Sequence, residues 1–324
     1  MPDKLVCFID LLGFKNITVN DGFGAQNLLW NSQQILEERL LDARSHPIDS
    51  YGVPSVRELA DQTYFDSCEM FLPGSDSIFM VSDDVTRFIP QLSHFLLSCF
   101  QFTSSEYAHP SDPTQPHKVT VRVIGRGGSV SEVEANWYPT LFRGGMYYGD
   151  VSDLPAKAIV NRKEIKTANI CGPAVVHAVG LEKSGKGPRL FCHEWVRDIV
   201  DPKYESYFVE IRREQEAVER CEGGNSNEKI YELLWPAFHY NHSNDCGVEI
   251  YEINGLLLPA INLWLAYRSQ CFGKHYLEFL RLVIRSALMF FDSTPCAARA
   301  RDLIQSRLVE AGLQSEVAAL MNEQ

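Results

Sequence analysis

Two acidic residues, Asp10 and Asp76, stand in or beside short apolar runs, LVCFIDLLGFK at 5–15 and GSDSIFMV at 74–81. An ionised carboxylate among buried strands is costly unless it is paired or ligates a cation. Two such strands with one carboxylate each therefore suggest convergence on divalent cations, which prefer hard oxygen ligands. In FRGGMYYGD at 142–150, Arg143 offers a planar fork of N–H donors suited to a phosphate. Residues 126–128 are a second RGG, so the tripeptide alone carries little. The surrounding strand pattern and the Gly149-Asp150 turn single out Arg143.

These residues need elements to hold them. The first strand ends at Gly13-Phe14, and helical spacing follows in Leu28, Leu29, Leu36 and Leu40. Residues 46–62 are rich in turn formers. A strand pair is expected at roughly 62–72 and 76–82, joined by Pro73-Gly74. Ser82, Asp83 and Asp84 suit the N-cap of a helix whose apolar face is Phe88, Ile89, Leu92, Phe95 and Leu96. Residues 104–117 read as a loop, 119–125 as a strand, 126–138 as a second loop and 140–148 as a strand. A helix opens at Gly172-Pro173, where proline's missing N–H costs nothing. The order is α+β, consistent with a ferredoxin-like core. Residues 213–228 read as a polar connection. From 256 to 320 the period is helical, with Leu277, Leu280, Ile284, Leu288 and Phe291 on one side and Glu278, Arg281 and Arg285 on the other. We expect a first domain over 1–199 and a mainly helical extension over 200–324.

Composition narrows the function. The chain has 324 residues, 45% hydrophobic and 22% charged, and reads as globular. A net charge of −12 argues against a nucleic-acid surface. Nine cysteines without a CxxC pair fit reduced thiols. The N-terminus runs straight into a strand, and the longest apolar stretch, around 256–267, falls short of the roughly 20 residues of a membrane span. No membrane association and a cytoplasmic location are the expectation. GLEKSGKG at 180–187 lacks the Ser/Thr of a phosphate-binding loop and follows a helix, and His239 and His242 have no third ligand cluster.

Taken together, FIDLLGF, SDSI, FRGGMYYGD and ICGPAVVHAVGLE resemble the catalytic core of a class III nucleotidyl cyclase, and their spelling is similar to that of the pyrimidine cyclases of bacterial Pycsar antiphage systems. The resemblance spans about residues 1–189. It implies that Asp10, Asp76 and the backbone carbonyl of Leu11 hold two divalent cations (Mn²⁺ or Mg²⁺), and that Leu12, Gly13 and Phe14 aim amides at the β- and γ-phosphates. It implies that Arg143 contacts phosphate. The family's transition-state asparagine and arginine fall at Val176 and Gly180, which lack side-chain donors; His177 and Lys183 are nearby substitutes. The purine-reading lysine falls at Leu72, and its acidic or cysteine partner at Asn169, whose amide suits a cytosine or uracil edge. The implied activity converts UTP or CTP to the 3′,5′-cyclic monophosphate in a homodimer, with a separate effector protein reading the product.

Overall fold

The computed structural model describes residues 3–45, 60–124, 129–160, 162–211, 229–240 and 246–322. The chain divides into two compact units, one of Met1–Asp10, Ala43–Leu92 and Phe142–Leu234, the other of Leu11–Asp42, Ser93–Leu141 and Trp235–Gln324. The architecture is α+β.

The first unit is built on a seven-stranded sheet. Its strands are β1 (Asp3–Leu11), β2 (Met70–Pro73), β3 (Ser77–Ser82), β6 (Phe142–Asp150), β9 (Leu190–His193), β10 (Phe208–Ile211) and β11 (Ile230–Leu233), in the order β10-β11-β9-β6-β1-β3-β2. Strand β1 is interior, flanked by β6 and β3, which explains its near-continuous apolar spelling: Leu5, Val6, Cys7, Ile9 and Leu11 are all buried. It pairs antiparallel with β3 from Leu5↔Ser82 to Asp10↔Ser77. Strand β6 runs parallel to β9. Helix α4 (Pro173–Glu182) packs on β6 through the buried Ala174 and Ala178. Its start at Gly172 has φ +134°, where a side chain would strike the carbonyl of Asp150. A two-stranded ribbon of β7 (Ser152–Val160) and β8 (Lys163–Cys171) precedes it, and α5 (Glu194–Ile199) follows β9.

The second unit holds α1 (Phe14–Asn20), most of α2 (Gly22–Ser45), a hairpin of β4 (Lys118–Ile124) and β5 (Val130–Asn136), and a helical bundle. The bundle helices are α6 (Cys246–Tyr267), α7 (Gly273–Asp292), α8 (Ala297–Glu310) and α9 (Val317–Asn322). Leu280, Ile284, Leu288 and Phe291 of α7 are buried, as its period predicts, whereas Leu277 is only half-buried. Helix α3 (Val85–Ala108) runs from the first unit into the second. Asp84 caps it, accepting from the Arg87 N–H at 3.1 Å.

Several expectations need correction. The loop expected at 104–117 begins only after Ala108, because α3 continues through Thr103 and Tyr107, both buried. The loop expected at 126–138 contains β5, and the β7–β8 ribbon was not anticipated at all. Both strand pairs are largely exposed, so no apolar alternation announces them. Only Met70–Pro73 of the first expected hairpin strand is extended. Two strands beyond residue 199 join the sheet. Cys296 is disulfide-bonded, against the expectation of reduced thiols throughout. Most of 46–62 and all of 213–228 lie outside the described residues. No described helix is long and apolar enough to cross a membrane.

Candidate active site

The antiparallel register of β1 and β3 sets Asp10 opposite Ser77, so Asp76 occupies the position next to its partner. Asp76 sits in the tight β2–β3 turn, just ahead of the strand, and accepts from Ser75 Oγ at 2.6 Å. Gly74 N–H closes the turn on Ser77 O at 2.6 Å. Burial raises the pKa of the Asp10 carboxyl, Arg143 opposes that rise, and the charge of Asp76 adds to it.

Arg143 reaches the same place from β6. Its Nε and Nη2 donate to Asp10 Oδ2 at 3.4 and 3.2 Å. The same Nε lies 2.5 Å from Oε1 of Glu182, whose side chain is 4% exposed. Burial raises the Glu182 carboxyl as well, with Arg143 countering and Asp10 reinforcing. Two glycines after Arg143 make this geometry possible. A Cβ on Gly144 would lie 2.4 Å from the carbonyl of Phe8, and one on Gly145 would lie 2.1 Å from that of Ala178. Thus β1 and α4 both close directly onto β6, which gives the Arg-Gly-Gly spelling its structural meaning.

Sequence reasoning missed Glu182. A signal was present: Ala174, Ala178 and Glu182 recur every four residues, so the carboxylate continues the buried stripe of α4 and requires a cation.

The other predicted residues fare differently. Leu11 is buried at the end of β1. The Leu12 amide was expected to face phosphate, but it donates to Leu141 O at 2.8 Å; it is already satisfied, and that role is corrected. Gly13 has φ +74°, and the amide of Phe14 opens α1, where first-turn N–H groups lack helical acceptors. Leu72 faces Phe79 across the β2–β3 hairpin and is half-buried. Asn169 lies on β8 opposite Leu154, exposed and with no side-chain hydrogen bond among the described residues. Val176 is 71% exposed. His177 stacks on Tyr147 with ring centroids 4.5 Å apart, a packing contact. Lys183 bears on Glu182 by charge alone. His239 has Gln101 and the carbonyl of Glu252 beside its ring nitrogens, whereas His242 and Arg126 lie outside the described residues.

Among the described residues no group of three or more His, Cys, Asp or Glu is arranged to hold a metal ion. The Asp10–Asp76 pair nevertheless suits a hard divalent cation. The carboxylates of Asp10 and Glu182 share one guanidinium, and Asp76 adds its charge beside Asp10 at a partly desolvated position.

No family model and no curated protein matches the chain. Among solved structures it is similar to the adenylyl cyclase CyaB from P. aeruginosa, over 71% of this chain and 93% of that one, at 11% identity and TM-score 0.40. The guanylyl cyclase domain of the RhoGC fusion protein from Blastocladiella emersonii is similar over 72% and 97%, at 14% identity and TM-score 0.38. The guanylate cyclase domain of RhGC from Catenaria anguillulae, solved in complex with GTP, is similar over 71% and 95%, at 12% identity and TM-score 0.39.

Proposed function

We propose that the chain is a nucleotide cyclase that converts a pyrimidine nucleoside triphosphate, UTP ahead of CTP, to its 3′,5′-cyclic monophosphate and pyrophosphate. The observation that carries this reading is the convergence of Asp10 and Asp76 at adjoining ends of β1 and β3, with Arg143 on the Asp10 carboxylate. In the reaction the 3′-hydroxyl oxygen attacks the α-phosphorus and gives up its proton to water, the bond from phosphorus to the bridging oxygen breaks, and pyrophosphate departs. Positioning and charge neutralisation do most of this work. Asp10 and Asp76, with the Leu11 carbonyl, would hold two divalent cations (Mn²⁺ or Mg²⁺). Such cations neutralise phosphate charge and lower the pKa of the attacking hydroxyl. Arg143 is assigned to the phosphates, and the amides of Gly13 and Phe14 are assigned to the β- and γ-phosphates.

Selectivity rests on Leu72, which offers a purine no donor, and on Asn169, whose amide pairs with a pyrimidine edge. Asn169 is exposed on the β7–β8 ribbon, which suits a homodimer where it reads the base bound by the partner subunit. The catalytic chemistry is assigned to 1–199, with 200–324 as a mainly helical extension. The setting is cytoplasmic antiphage defence, with a separate effector reading the cyclic product.

A second reading, a catalytically silent nucleotide-binding module, draws on Val176 and Gly180, which stand where the resemblance puts transition-state donors. One assay separates the readings: incubation with ATP, GTP, CTP or UTP and Mn²⁺, with cyclic products quantified by mass spectrometry. Cyclic UMP or CMP is expected. Dominant cyclic AMP or GMP would replace the pyrimidine reading with a purine one, and nucleotide binding without any product would establish the silent module.

A further inference from the structure

We infer that Glu182 is a positioning residue for Arg143, anchoring its guanidinium so that it can exchange the Asp10 carboxylate for the phosphates of a bound triphosphate. The inference rests on the cyclase reading above and adds a residue to it. Arg143 is held unequally by its two carboxylates. Its contacts with Asp10, at 3.2 and 3.4 Å, exceed the roughly 2.7–2.9 Å of a strong charge-assisted bond, whereas Glu182 is 2.5 Å away. The close partner is also the more buried one: the Glu182 side chain is 4% exposed and that of Asp10 21%. An ion pair deep in the protein is weakened less by water than one at its edge.

The Arg143–Glu182 contact is electrostatic, for Oε1 receives no well-aligned donor. The guanidinium is therefore fixed in place more than in orientation. Of its nitrogens, Nη1 makes no hydrogen bond among the described residues, so part of the fork remains to receive a phosphate oxygen.

The backbone explains why Glu182 is the anchor. Side chains two apart on a strand share a face, so Arg143 and Gly145 point to the side of β6 that α4 covers. A Cβ at Gly145 would lie 2.8 Å from the Glu182 amide, so the last turn of α4 rests directly over that position. Glu182 is thereby held over Arg143 by close backbone packing. A buried carboxylate with no other purpose would be expensive to retain.

The test is a double-mutant cycle on the full chain using E182Q, R143A and the double variant. Calorimetry measures binding of Mn²⁺ alone and of pyrophosphate with Mn²⁺ present, and thermal unfolding checks each fold. E182Q is expected to weaken pyrophosphate binding about tenfold, in line with the loss of a residue that holds a ligand-binding group in place. In the R143A background the same change is expected to have no further effect on pyrophosphate. E182D, which keeps the charge but shortens its reach, is expected to fall between wild type and E182Q and provides a second route if E182Q unfolds. Unchanged pyrophosphate binding in a folded E182Q or E182D variant overturns the inference, as does equal weakening with and without Arg143. Wild-type protein that binds neither Mn²⁺ nor pyrophosphate instead overturns the cyclase reading and the inference with it.

Discussion

Asp10 carries opposing demands. Burial and the nearby Asp76 disfavour its charge, while Arg143 favours it, and burial dominates. A carboxyl whose pKa is higher in the folded than in the unfolded chain binds its proton more tightly when folded. Its contribution to stability therefore declines as pH rises from about 4, the ordinary carboxylate value, through the raised one. Metal-free Asp10→Asn removes that contribution. Scanning fluorimetry between about pH 4 and 8 should show a smaller loss of stability with rising pH than in wild type. Mn²⁺ should stabilise wild type, by about 2.7 kcal/mol at one hundred times its Kd, and leave Asp10→Asn unmoved. Equal Mn²⁺ shifts in both proteins would remove Asp10 from the cation site. Arg143→Ala should lower kcat/KM roughly 10- to 100-fold, the consequence of losing a charge-assisted contact worth about 1.5–3 kcal/mol. Impairment of Arg126→Ala instead would show that the other RGG is the functional one. Asp10, Asp76 and Arg143 were legible because a charged group in an apolar strand or turn stands out. The partner of Glu182 was not, because Arg143 lies nearly forty residues earlier and only the folded β6–α4 contact joins them.

At the scale of elements, the site depends on how closely β1, β6 and α4 approach. Gly145→Ala would push a methyl group into the Ala178 carbonyl, 2.1 Å away, with the Leu181 Cβ at 2.7 Å. The helix must shift outward, taking Glu182 with it. Overpacking of this kind costs about 1–3 kcal/mol. Gly145→Ala should therefore unfold at lower denaturant and lose turnover beyond what the stability loss explains; a variant with wild-type midpoint and kinetics would show that α4 is free to adjust. Elements with at least one covered face were readable: β1, the start and apolar face of α3, the Gly172-Pro173 start of α4, and α7. Each has a period or a cap that burial enforces. The β7–β8 ribbon defeats that logic. Its two strands pair along nine positions from Ser152↔Cys171 to Val160↔Lys163, but Lys157, Glu164 and Lys166 alternate with nothing buried. Backbone pairing specified the ribbon, and a hydrophobic pattern does not report it.

For the molecule as a whole, the net charge of −12 offers no long-range attraction to a polyanion, so a triphosphate must be met by local cations. Base choice is then left to short-range contacts. Leu72 brings only apolar surface, and Asn169 one donor group and one acceptor. ATP and GTP should accordingly be poor substrates. A hydrogen bond lost from a closed site costs about 1–3 kcal/mol, or roughly 5- to 150-fold in relative kcat/KM. Asn169→Ala should therefore reduce discrimination between UTP and CTP more than it reduces total turnover. Because the Asn169 side chain is exposed and makes no hydrogen bond among the described residues, that effect should need a second subunit, and activity per mole should fall on dilution below the dimer's Kd. The decisive measurement is the UTP to CTP ratio of kcat/KM in wild type and Asn169→Ala, each over a range of protein concentrations. An unchanged ratio in the variant would release Asn169 from base reading. Activity per mole independent of concentration, down to concentrations at which ultracentrifugation shows a monomer, would place the whole reaction within one chain.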